Sequence, residues 1–154
     1  MVSNETQFAA REGSVNKYLE TAVRTASPAK LRLMLLERAV GLCQAIAKRW
    51  REKQPELGYD EQTITLRDIL TELLAGVGKS DLPVALQVAD LYVFLTKHLT
   101  SAEMMRDVTM IEEIQIVLET EVETWRIVCE TATQQTHRQT TTTTPHATSL
   151  NLQG

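Results

Sequence analysis

The side chains with most scope for chemistry in this 154-residue sequence are three histidines, two cysteines and several clustered acids. His98 sits in Thr96-Lys97-His98-Leu99, beside an apolar seam of helical spacing, where a structural, partly buried imidazole is expected rather than a metal ligand. His137 and His146 belong to a Gln- and Thr-rich stretch with no other ligand nearby. Cys43 and Cys129 lie far apart without a C-x-x-C partner, each among apolar neighbours, a pattern expected of buried free thiols. Glu112 and Glu113 point to different sides of a helix, and Glu119, Glu121 and Glu123 have no basic counter-cluster. A di-iron bundle needs Glu-x-x-His pairs, and none occurs. Neither a Gly-rich phosphate loop nor a nucleophile elbow is present. The expectation is therefore a protein with no catalytic residue, no metal and no cofactor. One neighbouring class is a phosphotransfer-like bundle with His98 as acceptor. Against it, Ser101-Ala102 is the best this sequence offers as the small residue that would let a partner approach the ring.

Composition narrows the class further. Hydrophobic residues make up 43 % and charged residues 23 %, ordinary for a globular chain. Net charge is -4, with Lys and Arg scattered among acids, so no basic patch is available to neutralise phosphates and no nucleic acid is expected. No apolar stretch approaches the ~20 residues of a membrane span. The opening Met1 to Arg11 is polar and lacks a signal-peptide core, which predicts a cytoplasmic location.

These residues must be positioned by helices. Ser27-Pro28 reads as an N-cap followed by proline at the first helical position, where its missing N–H costs nothing. That helix is expected to run to about Lys53 and stop before Pro55, with Gly58 in the loop. Asp60 caps a second helix to Val77, closed at Gly78. Asp81, with Pro83 in the first turn, opens a third to about Met105. Asp107 or Thr109 opens a fourth, expected to reach about Thr131. The spacing predicts an all-α, antiparallel four-helix bundle over residues 14–131, because short connections favour up-down topology. A mobile N-terminus (1–13), a short helical segment near Val15 to Val23 and a disordered Thr-rich tail (132–154) complete the expected organisation.

The first helix carries two apolar stripes. Leu33, Leu36, Val40, Cys43, Ala47 and Trp50 form a bundle seam, and Leu31, Leu35, Ala39, Leu42 and Ile46 form a second. Together they span roughly 200°, against the ~100° that one buried face requires. Either this helix touches two neighbours at once, or the second stripe lines a groove for a partner. The expected groove residues are Leu31, Leu35, Leu42 and Ile46, joined by Leu86 and Val93, which point away from the third helix's seam.

Specific strings then matter. Asn16-Lys17-Tyr18, Val23-Arg24-Thr25-Ala26-Ser27-Pro28, and Leu31 with Leu33-Met34-Leu35 resemble the opening of the flagellar export chaperone FliS. Ile69-Leu70-Thr71-Glu72-Leu73, Leu91-Tyr92-Val93-Phe94-Leu95 and Ile111-Glu112-Glu113-Ile114 ending in Trp125 are similar to its later helices. Thr25, Ala26, Ser27 and Pro28 form the specific element. Where the family reads M-L-Y-D-G-A, this chain has Met34-Leu35-Leu36-Glu37-Arg38-Ala39. The resemblance implies a four-helix chaperone that binds the disordered C-terminal segment of flagellin, blocks premature polymerisation and keeps it competent for type III export. It also implies export-gate components as further partners, and an N-terminal segment, here Tyr18 and Leu19, that caps the client surface. The alternative reading is a regulatory or adaptor bundle that self-associates through the same surface.

Overall fold

The computed structural model describes residues 17, 26–53, 60–79 and 83–141. Tyr18, Leu19 and Thr25, the N-terminal segment, and the loops around Pro55, Gly58 and Asp81 lie outside the described residues. Four helices follow in order: α1 (Pro28–Glu52), α2 (Glu61–Val77), α3 (Pro83–Met105) and α4 (Val108–Thr141).

Each described helix start has a physical cause. The Ser27 hydroxyl accepts from the Lys30 amide at 3.2 Å, and Pro28 follows at the first position. An Asp60 carboxylate oxygen accepts from the Gln62 amide at 3.0 Å. Thr63, although fully buried, donates its hydroxyl to the Asp60 carbonyl at 2.9 Å and so carries no unsatisfied group inward. Asp107, rather than Thr109, caps α4 by accepting the Thr109 amide at 2.9 Å.

α1 packs against α2 and α4, and α3 packs against the same two helices, so the four stand at the corners of a square. The connections force alternating directions. End-to-start contacts agree: Arg49 near the end of α1 pairs with Asp60 before α2, and Arg51 pairs with Glu112 in the first turns of α4. The interior is filled by Leu36, Cys43 and Ile46 from α1, Leu66 and Leu70 from α2, Leu95 and Leu99 from α3, and Ile114 and Leu118 from α4. Cys43 is a buried free thiol, and burial pushes its pKa up to about 12. Cys129 is also free but only half-buried.

Two expectations change. Leu42 and Ile46 do not line an open groove; with Ala39 they are buried in the core. The reason is the square arrangement, in which α1 meets two neighbours and spends most of its double-width apolar face on them. The fourth helix continues past Thr131 to Thr141. No proline or glycine interrupts this stretch before Pro145, and the Thr131, Thr133 and Thr136 hydroxyls bond back to carbonyls four residues earlier. Side chains from Thr131 to Gln139 are all exposed.

The turn between α3 and α4 is tight because one residue takes a left-handed conformation. Arg106 has φ 54, and the Asp107 amide reaches back to the Ala102 carbonyl at 3.1 Å. This is the hydrogen bond of a Schellman cap, usually built on glycine. The Arg106 guanidinium lies 5.7 Å from the centre of the Trp50 ring, an attraction glycine would lack. Arg106→Ala keeps the backbone strain and loses the ring contact, so it should lower stability by about 0.5–1 kcal/mol. Arg106→Gly also relieves a left-handed strain of about 1–2 kcal/mol, and should be the more stable of the two variants in urea unfolding followed by far-UV CD.

Candidate functional site

One cluster joins all four helices. Arg32, near the start of α1, donates through Nη2 to the Tyr92 hydroxyl of α3 at 2.7 Å. Its Nη1 donates to the Leu73 carbonyl of α2 at 3.4 Å. The guanidinium also stacks on aromatic faces, 4.9 Å from the Trp125 ring of α4 and 5.2 Å from that of Tyr92. Tyr92 passes the polarity on, donating its hydroxyl to Glu121 Oε2 at 2.9 Å. Burial first, and then the neighbouring Glu121 carboxylate, hold the Tyr92 hydroxyl well above its ordinary pKa, with Arg32 opposing them. α2 has no basic residue in its last turn, so Arg32 supplies the positive charge that a helix C-terminus favours.

Nothing in the hydrophobic periodicity marks Arg32 as interior. Its position does: it stands four residues before Leu36 and eleven before Cys43, on the buried line of α1.

His98 projects from α3 toward α4. Its ring stacks on Phe94 with centroids 5.3 Å apart, and Nε2 lies 2.7 Å from Glu113 Oε2. Glu113 thus holds one of the two ring nitrogens of His98 and orients the ring. Among the described residues, no group of three or more His, Cys, Asp or Glu could hold a metal ion.

The sequence-expected groove residues separate into three sets. Leu42 and Ile46 are interior, as above. Leu31 and Leu35, at the start of α1, are half-buried. Leu86 and Val93 are exposed, Leu86 by 73 %, and lie two turns apart on the outward line of α3. Phe94, 54 % exposed, stands beside them. On α4, Ile116 and Ile127 point outward. A separate groove of about 580 Å³ runs between α1 and α4, with Val40, Gly41 and Gln44 on one wall and Glu119, Val122 and Arg126 on the other. That groove faces away from α3, and the apolar periodicity of α1 did not reveal it, because its rim is polar.

Of the family-motif residues, Ala26, Ser27 and Pro28 build the start of α1, and this capped turn sets Arg32 at bundle depth. The family model for the flagellar protein FliS matches residues 11–147. The chain belongs to the FliS family. No curated protein sequence matches it. FliS proteins are flagellar export chaperones rather than enzymes. No described helix of this FliS-family chain is long and apolar enough to cross a membrane.

The Arg32 cluster gives a stability prediction. Arg32→Ala removes the donor to the Tyr92 hydroxyl and the Leu73 carbonyl and opens the space between two rings. It should destabilise by about 3 kcal/mol in urea unfolding. Tyr92→Phe should cost about 1–2 kcal/mol, and the double variant less than the sum, since the two share one interaction. The raised Tyr92 pKa means the folded state keeps its phenol proton while the unfolded state begins to lose it near pH 10. Its contribution is thus complete below pH 10 and declines as pH rises beyond that. Melting temperatures of wild type and Tyr92→Phe should converge above pH 10.

Proposed function

We propose that this chain is a cytosolic chaperone for flagellin, holding its C-terminal segment so that it neither polymerises early nor loses export competence. The client lays its apolar anchors along the outward line of α3, over Leu86, Val93 and Phe94. The observation that carries this reading is the exposure of those α3 side chains on a FliS-family bundle whose core is already complete without them. A helix-in-groove client needs apolar anchors about one or two turns apart, and Leu86 and Val93 have that spacing. Ordering a disordered segment costs about 2–5 kcal/mol or more, so several anchors must be buried together. Export-gate components are further partners under this reading, and Tyr18 and Leu19 would cover the surface when no client is bound. No nucleotide or metal takes part.

Self-association through the same surface is the competing use. Light scattering with and without a flagellin C-terminal peptide separates the two, since a chaperone gives a defined complex with the peptide. Titration calorimetry with that peptide should show binding at micromolar concentrations. Leu86→Glu with Val93→Glu should weaken it at least tenfold, about 1.4 kcal/mol, while leaving far-UV CD and melting temperature unchanged. Leu42→Glu should instead unfold the bundle. An absence of heat with wild type, or full binding by the double variant, would refute the proposal.

A further inference from the structure

The groove between α1 and α4 has features the fold does not use. Gly41 sits in the middle of a 25-residue helix, where glycine is the least favourable residue after proline. A Cβ built at Gly41 would meet nothing within 4 Å, so no packing inside the chain requires its bareness. It leaves α1 backbone open to close approach from outside, beside the half-buried Val40 and facing the buried Val122 across the groove.

The rim is charged, and unevenly. Glu37, Glu119 and Glu123 stand there against one cation, Arg126. Arg126 bridges the two sides, its Nη2 donating to Glu37 of α1 at 3.2 Å and its Nη1 to Glu123 of α4 at 2.6 Å. An internal guanidinium thus occupies the position that an incoming one would take. From Glu37 to Gln44 the groove follows α1 for about 10 Å, two turns of an opposing helix.

We propose that this groove is a second docking site, for a basic amphipathic helix of a partner protein. The helix seats a small apolar face on Gly41, Val40 and Val122 and presents lysine or arginine to the carboxylates. α1 and α3 occupy opposite corners of the square, so this site and the α3 client surface are separate and can be filled together.

The test uses the full chain and a synthetic amphipathic Leu/Ala/Lys helical peptide, with a Leu/Ala/Glu peptide of the same pattern as control. Proton–nitrogen correlation spectra should show the lysine peptide shifting the amides of Gly41 and Gln44, more strongly at low salt, and the glutamate peptide leaving them in place. Gly41→Leu should weaken the lysine peptide at least tenfold without lowering the melting temperature, because the new side chain enters open space. Arg126→Gln should tighten it severalfold by releasing Glu37 and Glu123, the opposite of what loss of a merely structural residue would do. Unmoved Gly41 and Gln44 amides, full binding by Gly41→Leu, or weaker binding by Arg126→Gln would each overturn the proposal. Flagellin-peptide titration of Gly41→Leu keeps the two sites distinguishable, since client binding should be retained there whichever way the groove experiment falls.

Discussion

A guanidinium enters a helical bundle only where the surrounding helices offer it acceptors or aromatic faces, and Arg32 is supplied by every other helix at once. It bonds to a carbonyl of α2 and a hydroxyl of α3, and lies against the indole of α4. Each contact alone is modest, about 1.5–3 kcal/mol for a hydrogen bond from a charged donor and about 0.5–1 kcal/mol for a cation over a ring. Their joint effect is geometric. Hydrophobic seams tolerate rotation of one helix against the next, whereas a planar fork with fixed donor directions does not. The cluster therefore sets the rotation of α3 and α4 relative to α1, and with it which residues of those helices face outward.

The opposite end is held differently. Arg49–Asp60, Arg51–Glu112 and Arg67–Glu103 link neighbouring helices there, but the arginines of the first two are substantially exposed, where ion pairs contribute little. What fixes that end is the two-residue connection through Arg106, whose left-handed backbone turns α3 directly into α4. A tight covalent turn at one end and a half-buried guanidinium at the other leave the α3–α4 pair little freedom between them.

Much of this was legible in the sequence, because caps and seams are local signals. Ser27-Pro28, Asp60 and Asp107 mark helix starts through side chains that bond within three residues, and the a/d spacing of Leu33 through Trp50 follows from helical pitch alone. The use of the second α1 stripe was not legible. Leu42 and Ile46 carry the same local pattern whether they face a neighbouring helix or a client, and only the square packing decides. Arg32 was hidden for the converse reason: a charge on a core line reads as an interruption until its three partners, 41, 60 and 93 residues away, are in place. The length of α4 was missed because threonine and glutamine lower helix propensity without forbidding a helix that a packed stretch has already nucleated.

The division of labour among the helices bears on how such a bundle can hold other chains. Leu42 and Ile46 are committed to the core, so α1 cannot give up its apolar face without unfolding the protein. Residues whose removal leaves the core intact include the outward side chains of α3, Ile116 and Ile127 of α4, and the polar-rimmed channel beside Gly41. An anchor that is already exposed costs the free bundle little when a partner covers it, because no internal contact is broken. The rotation imposed by Arg32 keeps Leu86 and Val93 outward together, so under the proposed function a disordered partner would meet anchors whose positions are already set, and most of the entropic cost of assembly would fall on the incoming segment.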